Sequence, residues 1–189
     1  MITRDNTKTI YDLTANAGAL HGDKIFLRWE DNDVIREVSF KEFSAQCAAI
    51  ASWTRAQEAR LGRKIHVALL GGSSNHYLAV LLGVMCAGCV AVPLDIQVSL
   101  ETLCDCLDRS DVDVLFYDWE HRALAEGAKE RCPGLFSCIS LQHGRHVLCS
   151  DNLLKEYMGQ TIQPQAGPDD LAMILFTSGT TGKGKGVML

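Results

Sequence analysis

The sequence predicts an α/β protein with a largely parallel sheet flanked by helices. Short runs of β-branched and apolar residues alternate with helical stretches through the middle of the chain, as in strand–helix–strand units. One of these runs, residues 64–70, is apolar enough to be a strand that is buried on both faces. With 189 residues, of which 47% are hydrophobic and 22% charged, the chain is long enough to enclose a sizeable core.

The first third of the chain predicts a helix, a β-hairpin and a second helix. Apolar or small residues recur at helical spacing over residues 7–20. Two β-rich runs, 25–29 and 34–38, are separated by acidic and amide residues whose composition predicts a tight turn. The second helix is predicted to begin after Ser39, because Glu42 three residues later completes a capping box.

The middle of the chain predicts three successive strand–helix–strand units. After the strand at 64–70, a glycine-rich turn leads into a helix at 75–87, with Gly88 as its C-cap and a returning strand at 89–95. The same order then repeats twice. The later helices are predicted at 99–109, 120–131 and 152–158, and the later strands at 112–117 and 135–140.

Charge and hydropathy argue against a nucleic-acid partner, a membrane span and a secretory signal. A net charge of -5 disfavours general nucleic-acid binding, which needs a basic surface. The longest uncharged apolar stretch, residues 77–92, contains two glycines and is shorter than the roughly 20 residues of a membrane span. The first twelve residues lack the apolar centre of a secretory signal. We therefore predict a cytoplasmic protein with no nucleic-acid partner and no transmembrane segment.

Eight cysteines lie mostly among apolar neighbours, as free thiols do in a reducing compartment. Four of them have spacings that also occur in redox pairs and zinc sites: Cys86, Cys89, Cys104 and Cys106. Their apolar neighbours favour structural thiols, with a redox pair and a zinc site as alternatives. We interpret His143 and His146 as exposed polar residues and predict no metal ligands in this chain.

The last apolar run, residues 171–176, follows a linker-like stretch and leads into a segment of unusual composition. Residues 176–187 contain four hydroxyl side chains, four glycines and two lysines. Glycines allow consecutive N–H groups to form a concave anion nest, to which hydroxyl and ammonium groups add donors and charge. The segment therefore predicts a polyphosphate-binding loop. A flexible linker is the alternative, but apolar runs on both sides disfavour it.

The residues around this loop distinguish between types of phosphate loop. The run from Gly179 to Lys185 fits the first seven positions of a Walker A loop, but Gly186 has no oxygen for the magnesium ion at the eighth. The spacing of the glycines also fails the dinucleotide fingerprint. Because residues 187–189 are apolar and begin with a β-branched valine, the segment predicts a phosphate-loop hairpin between two strands.

With this segment the sequence resembles the adenylate-forming (AMP-binding) superfamily, which includes acyl-CoA synthetases, peptide-synthetase adenylation domains and luciferases. Residues 176–187 match its signature [YF]-T-S-G-[ST]-T-G-x-P-K-G-V except at Gly184, where the family usually has proline. Residues 85–95 are similar to a second motif that ends in V-P-L-D. A weaker similarity covers residues 21–25 and 38–43, so the resemblance spans most of the chain.

The resemblance implies a reaction in two steps. A small-molecule carboxylate attacks the α-phosphorus of ATP and releases pyrophosphate, and a thiol such as coenzyme A then captures the acyl-adenylate. The implied nucleotide-binding residues are Thr177, Ser178, Gly179, Thr180, Thr181, Gly182, Lys183 and Lys185. Lys185 is the family's lysine, whereas Lys183 occupies a variable position and could equally be a solvated charge. From Gly184 alone we predict a more mobile loop that loses extra entropy when ATP binds.

The resemblance also implies that residues 1–189 are the N-terminal subdomain of an adenylating domain, truncated after the phosphate loop. The acyl pocket, the Mg²⁺ ligand, the ribose-binding aspartate and the catalytic lysine are expected outside this chain, which holds no catalytic residue and is predicted to be inactive alone. An acyl-CoA synthetase is the first expectation and an amino-acid or aryl-acid adenylation domain the second. A non-catalytic nucleotide-binding module and a thiol or zinc protein are alternatives of other classes.

Overall fold

The computed structural model describes residues 2–3, 6–31, 33–142, 148–163, 165–177 and 184–189. The helices are α1 (Ile10–His21), α2 (Phe40–Leu61), α3 (Asn75–Cys86), α4 (Leu100–Arg109), α5 (Arg122–Arg131) and α6 (Ser150–Tyr157). The strands are β1 (Ile25–Asp31), β2 (Val34–Ser39), β3 (His66–Leu70), β4 (Val90–Pro93), β5 (Val114–Tyr117), β6 (Ser137–Ser140), β7 (Ile174–Thr177) and β8 (Lys185–Met188). Within the described ranges, none of the helices combines the length and apolar character that crossing a membrane requires.

A four-stranded parallel sheet forms the centre of the molecule, which confirms the predicted fold class. Its strand order is β4-β3-β5-β6, so β3 lies between β4 and β5. In this register Val67 of β3 stands beside Ala91 of β4 and Val114 of β5. All three side chains are fully buried. A sheet covered on both faces favours continuous apolar strands, which explains why the run at 64–70 could be recognised in the sequence.

Helices cover both faces of this sheet and create two separate cores. Val67 and Leu69 point to one face, where α2, α3 and α6 supply the packing partners. Ala68 and Leu70 point to the other face, which is covered by α4 and α5. The separation follows from the strand geometry, since successive side chains alternate between the faces of a sheet. On the first face, the rings of Trp53 and Phe116 meet edge to face with centroids 5.5 Å apart.

The predicted N-terminal elements are confirmed with small shifts at their ends. Strands β1 and β2 pair as an antiparallel hairpin. The capping box at the start of α2 is present, because the Ser39 hydroxyl accepts from the Glu42 N–H and Glu42 accepts from the Ser39 N–H at 2.9 Å. Gly62 ends α2 in the left-handed conformation, which glycine adopts without steric cost.

Two helix boundaries differ from the prediction for local reasons. The C-cap of α3 is Ala87, and Gly88 is one residue further along with φ 76°. The Cys89 N–H reaches back to the Val84 carbonyl at 3.2 Å, so a Schellman turn directs the chain into β4. The helix predicted at 120–131 begins instead as a 3-10 turn at Trp119–His121, and α5 follows it.

The cysteines are placed in ways that disfavour the zinc and redox alternatives. Cys86 and Cys89 are buried in the core on the α2–α3 face, whereas Cys104 and Cys106 lie with α4 on the opposite face. The sheet therefore separates the two pairs. Burial raises the pKa of Cys86 to about 11, which keeps this thiol protonated. Among the described residues, no three His, Cys, Asp or Glu side chains converge as metal ligands, and the two predicted exposed histidines, 143 and 146, lie outside them.

Candidate functional site

The β7–β8 hairpin carries the segment that the sequence marks as a phosphate loop. The strands pair antiparallel with Thr177 opposite Lys185 and Phe176 opposite Gly186, which confirms the predicted hairpin. Thr177 and Lys185 therefore form the last pair of the ladder, at the end where the connecting residues leave it. Both residues are exposed. The Thr177 hydroxyl donates to the Lys185 carbonyl at 3.4 Å, a long hydrogen bond that a phosphate oxygen would have to replace.

The described chain includes only part of the predicted site. Thr177 and Lys185 are placed next to one another by the strand pairing. The remaining predicted site residues lie outside the described residues: Ser178, Gly179, Thr180, Thr181, Gly182 and Lys183. Their roles stay predictions. What the fold establishes is the position of the two ends of this loop.

The hairpin attaches to the free edge of the parallel sheet. Ala91 of β4 forms a parallel bridge with Met173, and the Ala91 N–H donates to the Ala172 carbonyl at 3.0 Å. Leu189, which directly follows β8, donates its N–H to the Met173 carbonyl at 2.9 Å and so ties the end of the hairpin to the bridged residue. Since β4 belongs to the second sequence motif at 85–95, this attachment brings the two motifs together although they are far apart in the sequence.

A groove of about 470 Å³ lies between the hairpin, α4 and the loop that follows β4. Asp95, Glu101 and Asp105 line it from the β4–α4 side, and Thr177 and Gly184 line it from the hairpin. The groove opens at the carboxyl end of β4. Parallel sheets commonly bind ligands beyond the carboxyl ends of their strands, so this position is suited to a substrate site.

Arg109, in the last turn of α4, joins the helix to the hairpin. Its Nη1 atom donates to the Gly184 carbonyl at 2.8 Å and to Asp105 Oδ2 at 3.1 Å. The guanidinium carbon lies 5.5 Å from the centre of the Phe176 ring. Arg109 is not recognisable as a site residue from the sequence, because an arginine at the end of an amphipathic helix usually points to solvent. Asp105 lies on the same helix, whereas the contacts with Gly184 and Phe176 exist only because a distant hairpin docks onto α4.

A second polar cluster, Asp118 with His121, lies beyond the carboxyl end of β5, an interior strand of the sheet. Asp118 accepts from the Gly72 N–H at 2.9 Å and lies 2.5 Å from His121 Nδ1. His121 Nε2 lies 3.0 Å from the Ile96 carbonyl. Burial alone would lower the pKa of His121, but the hydrogen bond and charge of Asp118 outweigh it and raise the pKa above the usual value. The ring links the loop after β5 to the loop after β4, and Asp118 links it to the loop after β3. With an acceptor at each nitrogen, the ring is not free to act as a base.

Ser150, His76 and Asp151 have the composition of a hydrolase triad but lack its geometry. The Ser150 hydroxyl donates to the Leu141 carbonyl at 2.9 Å and lies 3.0 Å from His76 Nδ1. Asp151 is 3.7 Å from His76 Nε2. Because the serine is 1% exposed and its proton is directed at a carbonyl, it is not a nucleophile open to a substrate. These residues instead anchor the start of α6.

The fold is similar to that of solved adenylate-forming enzymes. An anthranilate CoA ligase in complex with anthranoyl-AMP superposes with a TM-score of 0.82 at 19% identity, covering 95% of this chain and 33% of that chain. A fatty acyl CoA synthetase from Mycobacterium tuberculosis gives a TM-score of 0.81 at 18% identity, covering 98% and 35%. At these identities the similarity concerns the fold alone.

Sequence relatives include both CoA ligases and peptide synthetases. Feruloyl-CoA synthase of Amycolatopsis sp is 31% identical over 80% of this chain and 28% of that protein. Long-chain-fatty-acid–CoA ligase 5 of Rattus norvegicus is 25% identical, with 97% and 29% covered. Nonribosomal peptide synthetase agiA of Aspergillus flavus is 30% identical, with 96% and 2% covered. The chain therefore spans less than a third of the length of each of these relatives.

The family comparison covers nearly the whole chain. The model of the AMP-binding enzyme family matches residues 14–189, a range that runs from α1 through the parallel sheet to the β7–β8 hairpin. It includes both sequence motifs and the bridge that joins them at β4. The chain belongs to the family of AMP-binding enzymes.

Proposed function

We propose that the protein carrying this chain is an ATP-dependent acid–thiol ligase of the acyl-CoA synthetase type. It activates a carboxylate as an acyl-adenylate and passes the acyl group to coenzyme A. The observation that carries this proposal is the pairing of Thr177 with Lys185 at the open end of a hairpin attached to β4, in a chain of the AMP-binding enzyme family.

In this proposal the hairpin residues bind the β and γ phosphates of ATP. The Thr177 hydroxyl donates a hydrogen bond and the Lys185 ammonium supplies positive charge. As the carboxylate attacks the α-phosphorus, negative charge accumulates on the departing pyrophosphate, and donors already in place stabilise that charge. The predicted contacts from the loop add to these two: the hydroxyls of Ser178, Thr180 and Thr181, the backbone at Gly179 and Gly182, and the charge of Lys183.

Magnesium would accompany ATP and reduce the repulsion between the phosphates and the incoming carboxylate. The described residues do not suit a complete Mg²⁺ site, because no three acidic or other ligating side chains converge among them. We propose, as the family resemblance implies, that the ligands of this ion lie outside residues 1–189. The same division of the site leads us to propose that residues 1–189, as an N-terminal subdomain, do not catalyse adenylation alone.

An adenylation domain that transfers an amino or aryl acid to a carrier protein is the second candidate. It is favoured by nonribosomal peptide synthetase agiA, which is as similar to this chain in identity as the feruloyl-CoA synthase and matches more of it. The two candidates share the adenylation step and differ in the thiol that accepts the acyl group. A test must therefore treat the two half-reactions separately.

Carboxylate-dependent exchange of labelled pyrophosphate into ATP tests the first half-reaction. The protein at its native length is assayed with aromatic acids, fatty acids and amino acids, and Lys185→Met serves as the site variant. We expect exchange with at least one acid class and its loss in the variant. Isolated residues 1–189 should show background exchange only. Binding of ATP without exchange for any acid would instead support a non-catalytic nucleotide-binding module.

The second half-reaction is then assayed with the acid that supports exchange, in order to identify the thiol that accepts the acyl group. Coenzyme A and a phosphopantetheinylated carrier protein are offered separately, and the thioester product is measured by mass spectrometry. Formation of acyl-CoA supports the proposed ligase. Transfer to the carrier protein alone would establish the second candidate.

A further inference from the structure

The attachment of the hairpin to the rest of the molecule is asymmetric. On one side, the backbone bridge between Ala91 and Met173 joins the start of the hairpin to β4. On the other side, Arg109 of α4 reaches the Gly184 carbonyl, one residue before β8 begins at Lys185. The Arg109 side chain therefore binds the backbone at Gly184, between the predicted loop and β8.

Three restraints orient the Arg109 guanidinium. Asp105, one helical turn earlier, binds the same nitrogen that donates to Gly184. The guanidinium carbon lies over the Phe176 ring, 5.5 Å from its centre, and Phe176 belongs to β7. Arg109 thus contacts β7 and the residue that precedes β8, beside the Thr177–Lys185 pair. Hydrogen bonds from a charged donor are stronger than those between neutral groups, so one such bond can restrain a short, exposed hairpin.

A hydrogen bond to the Gly184 carbonyl restricts a residue that would otherwise have large backbone freedom. Glycine has more backbone freedom than any other residue, and this freedom is lost when the hairpin takes one conformation. Lys185 follows directly, so rotation about the Gly184 backbone would move its side chain relative to Thr177. Bonding of the Gly184 carbonyl by Arg109 reduces that rotation before any ligand arrives.

We propose that Arg109 is a positioning residue, which holds the Gly184 end of the β7–β8 hairpin so that Lys185 stays beside Thr177 for nucleotide phosphates. Arg109 acts through the backbone and not by touching the substrate. This inference rests on the proposed function for its nucleotide effect only. Its effect on the hairpin is independent of any ligand, and the two can be measured separately.

Arg122 provides a matched control. Like Arg109, it pairs with an acidic residue four positions away, Glu126, and its guanidinium stacks on an aromatic ring, Trp119, at 5.0 Å. The two arginines are similarly exposed, with 40% and 45% of their side-chain surface accessible. Both contacts of Arg122 fall within its own helix and the preceding turn, whereas Arg109 reaches the hairpin. Comparing the two methionine variants therefore isolates the contacts that Arg109 makes with the hairpin, to the Gly184 carbonyl and the Phe176 ring.

The first measurement is amide hydrogen exchange without nucleotide, on the protein at its native length. Arg109→Met should accelerate exchange in peptides that cover β7 and β8, whereas Arg122→Met should leave them unchanged. The second is the Kd for MgATP by calorimetry, which Arg109→Met should raise about three- to tenfold, the range expected for one partly exposed hydrogen bond. Arg109→Lys, which keeps one donor and the charge, should lie between Arg109→Met and the wild type.

A double variant separates positioning from long-range attraction of phosphate. Adding Gly184→Pro to Arg109→Met restricts the backbone without restoring a charge. Positioning therefore predicts a rescue in which Gly184→Pro improves MgATP affinity by a larger factor in the Arg109→Met background than in the wild type. Failure of this rescue, or unchanged hairpin exchange in Arg109→Met, would overturn the inference while leaving the proposed function intact. If hairpin exchange responds to Arg109→Met but the wild type does not bind MgATP, the proposed function is wrong and the structural role of Arg109 stands.

Discussion

The parallel sheet and the β7–β8 hairpin are both built from short strands, but they bury these strands to very different extents. Every residue of β5 is buried, whereas every residue of β8 is exposed. The sheet is held by apolar packing on two faces, and the hairpin by a backbone bridge to β4 and by Arg109. We infer that the sheet provides most of the free energy of folding. Substitutions in the hairpin should therefore change ligand binding without unfolding the protein.

The largest effect is expected from a cavity in the sheet. Phe116 is fully buried and packs edge to face against Trp53, so Phe116→Ala should reduce the free energy of unfolding by about 3–5 kcal/mol. Val187 in β8 is 42% exposed, and Val187→Ala should cost less than about 1 kcal/mol. Denaturant unfolding of both variants measures the difference. Equal losses would remove the distinction between the two regions.

Overpacking between α2 and α3 should have the next largest effect. A Cβ atom at Gly83 would lie 2.6 Å from Ile50 Cβ and 2.9 Å from the Cys47 carbonyl. Gly83→Ala should therefore lower the free energy of unfolding by about 1–3 kcal/mol. Gly134→Ala is the control, because nothing lies within 4 Å of its added Cβ. A stability unchanged in both variants would mean that the two helices can separate at little cost.

Loss of the hairpin charge should affect binding but not folding. Lys185→Met should weaken MgATP binding about tenfold or more, as expected for one charged contact to phosphate, with an unchanged midpoint of thermal unfolding. Lys155→Met removes an exposed charge from α6 and should change neither quantity. A fall in thermal stability comparable to that of Gly83→Ala would show that Lys185 belongs to the stabilising part of the molecule.

Stiffening the hairpin tests the prediction made from the sequence at Gly184. Gly184→Pro should tighten MgATP binding about two- to fivefold, because proline reduces the freedom that the free hairpin loses on binding by about 0.4–1 kcal/mol. Calorimetry with the intact protein measures this. A Cβ at this position would meet the Thr177 carbonyl at 3.2 Å, which the hairpin must accommodate. Unchanged or weaker binding would contradict the prediction of an entropic cost.

The smallest effect concerns the pH dependence contributed by His121. Its pKa is raised in the folded state, so its pairing with Asp118 stabilises fully below the unfolded pKa of about 6.5 and loses this contribution as pH rises through the folded pKa. The difference in unfolding free energy between the wild type and His121→Gln should therefore shrink from pH 6 to pH 8.5. A difference that stays constant over this range would exclude an ionic contribution.

Local signals explain how much of the fold could be predicted. The apolar run of β3, the capping box of Ser39 and Glu42, and the strand residues on both sides of the loop act on near neighbours in the chain. The errors fell where tertiary contacts adjust local preferences. An example is the start of α5, where a 3-10 turn precedes the helix. The Asp118 side chain that accepts from the His121 N–H in this turn also accepts from the Gly72 N–H, 46 positions earlier.

The candidate site also has a part that the sequence predicts and a part that depends on tertiary contacts. Its composition made residues 176–187 recognisable, because phosphate binding needs glycines, hydroxyls and cations within a few positions. The groove beside the hairpin and the contacts of Arg109 were not predictable from these residues. Arg109 and Gly184 are 75 positions apart, and nothing in either local pattern indicates that they meet.

Sequence patterns were therefore sufficient to predict the α/β class, the alternation of helices and strands, the hairpin and the family resemblance. Each of these depends on interactions between residues close in the chain or on the chemistry of a short segment. Three features became visible only in the folded molecule: the strand order β4-β3-β5-β6, the attachment of the hairpin to β4 and the hydrogen bond from Arg109 to the Gly184 carbonyl. These features depend on which distant surfaces pack together, and packing of the two cores selects them only after the local elements have formed.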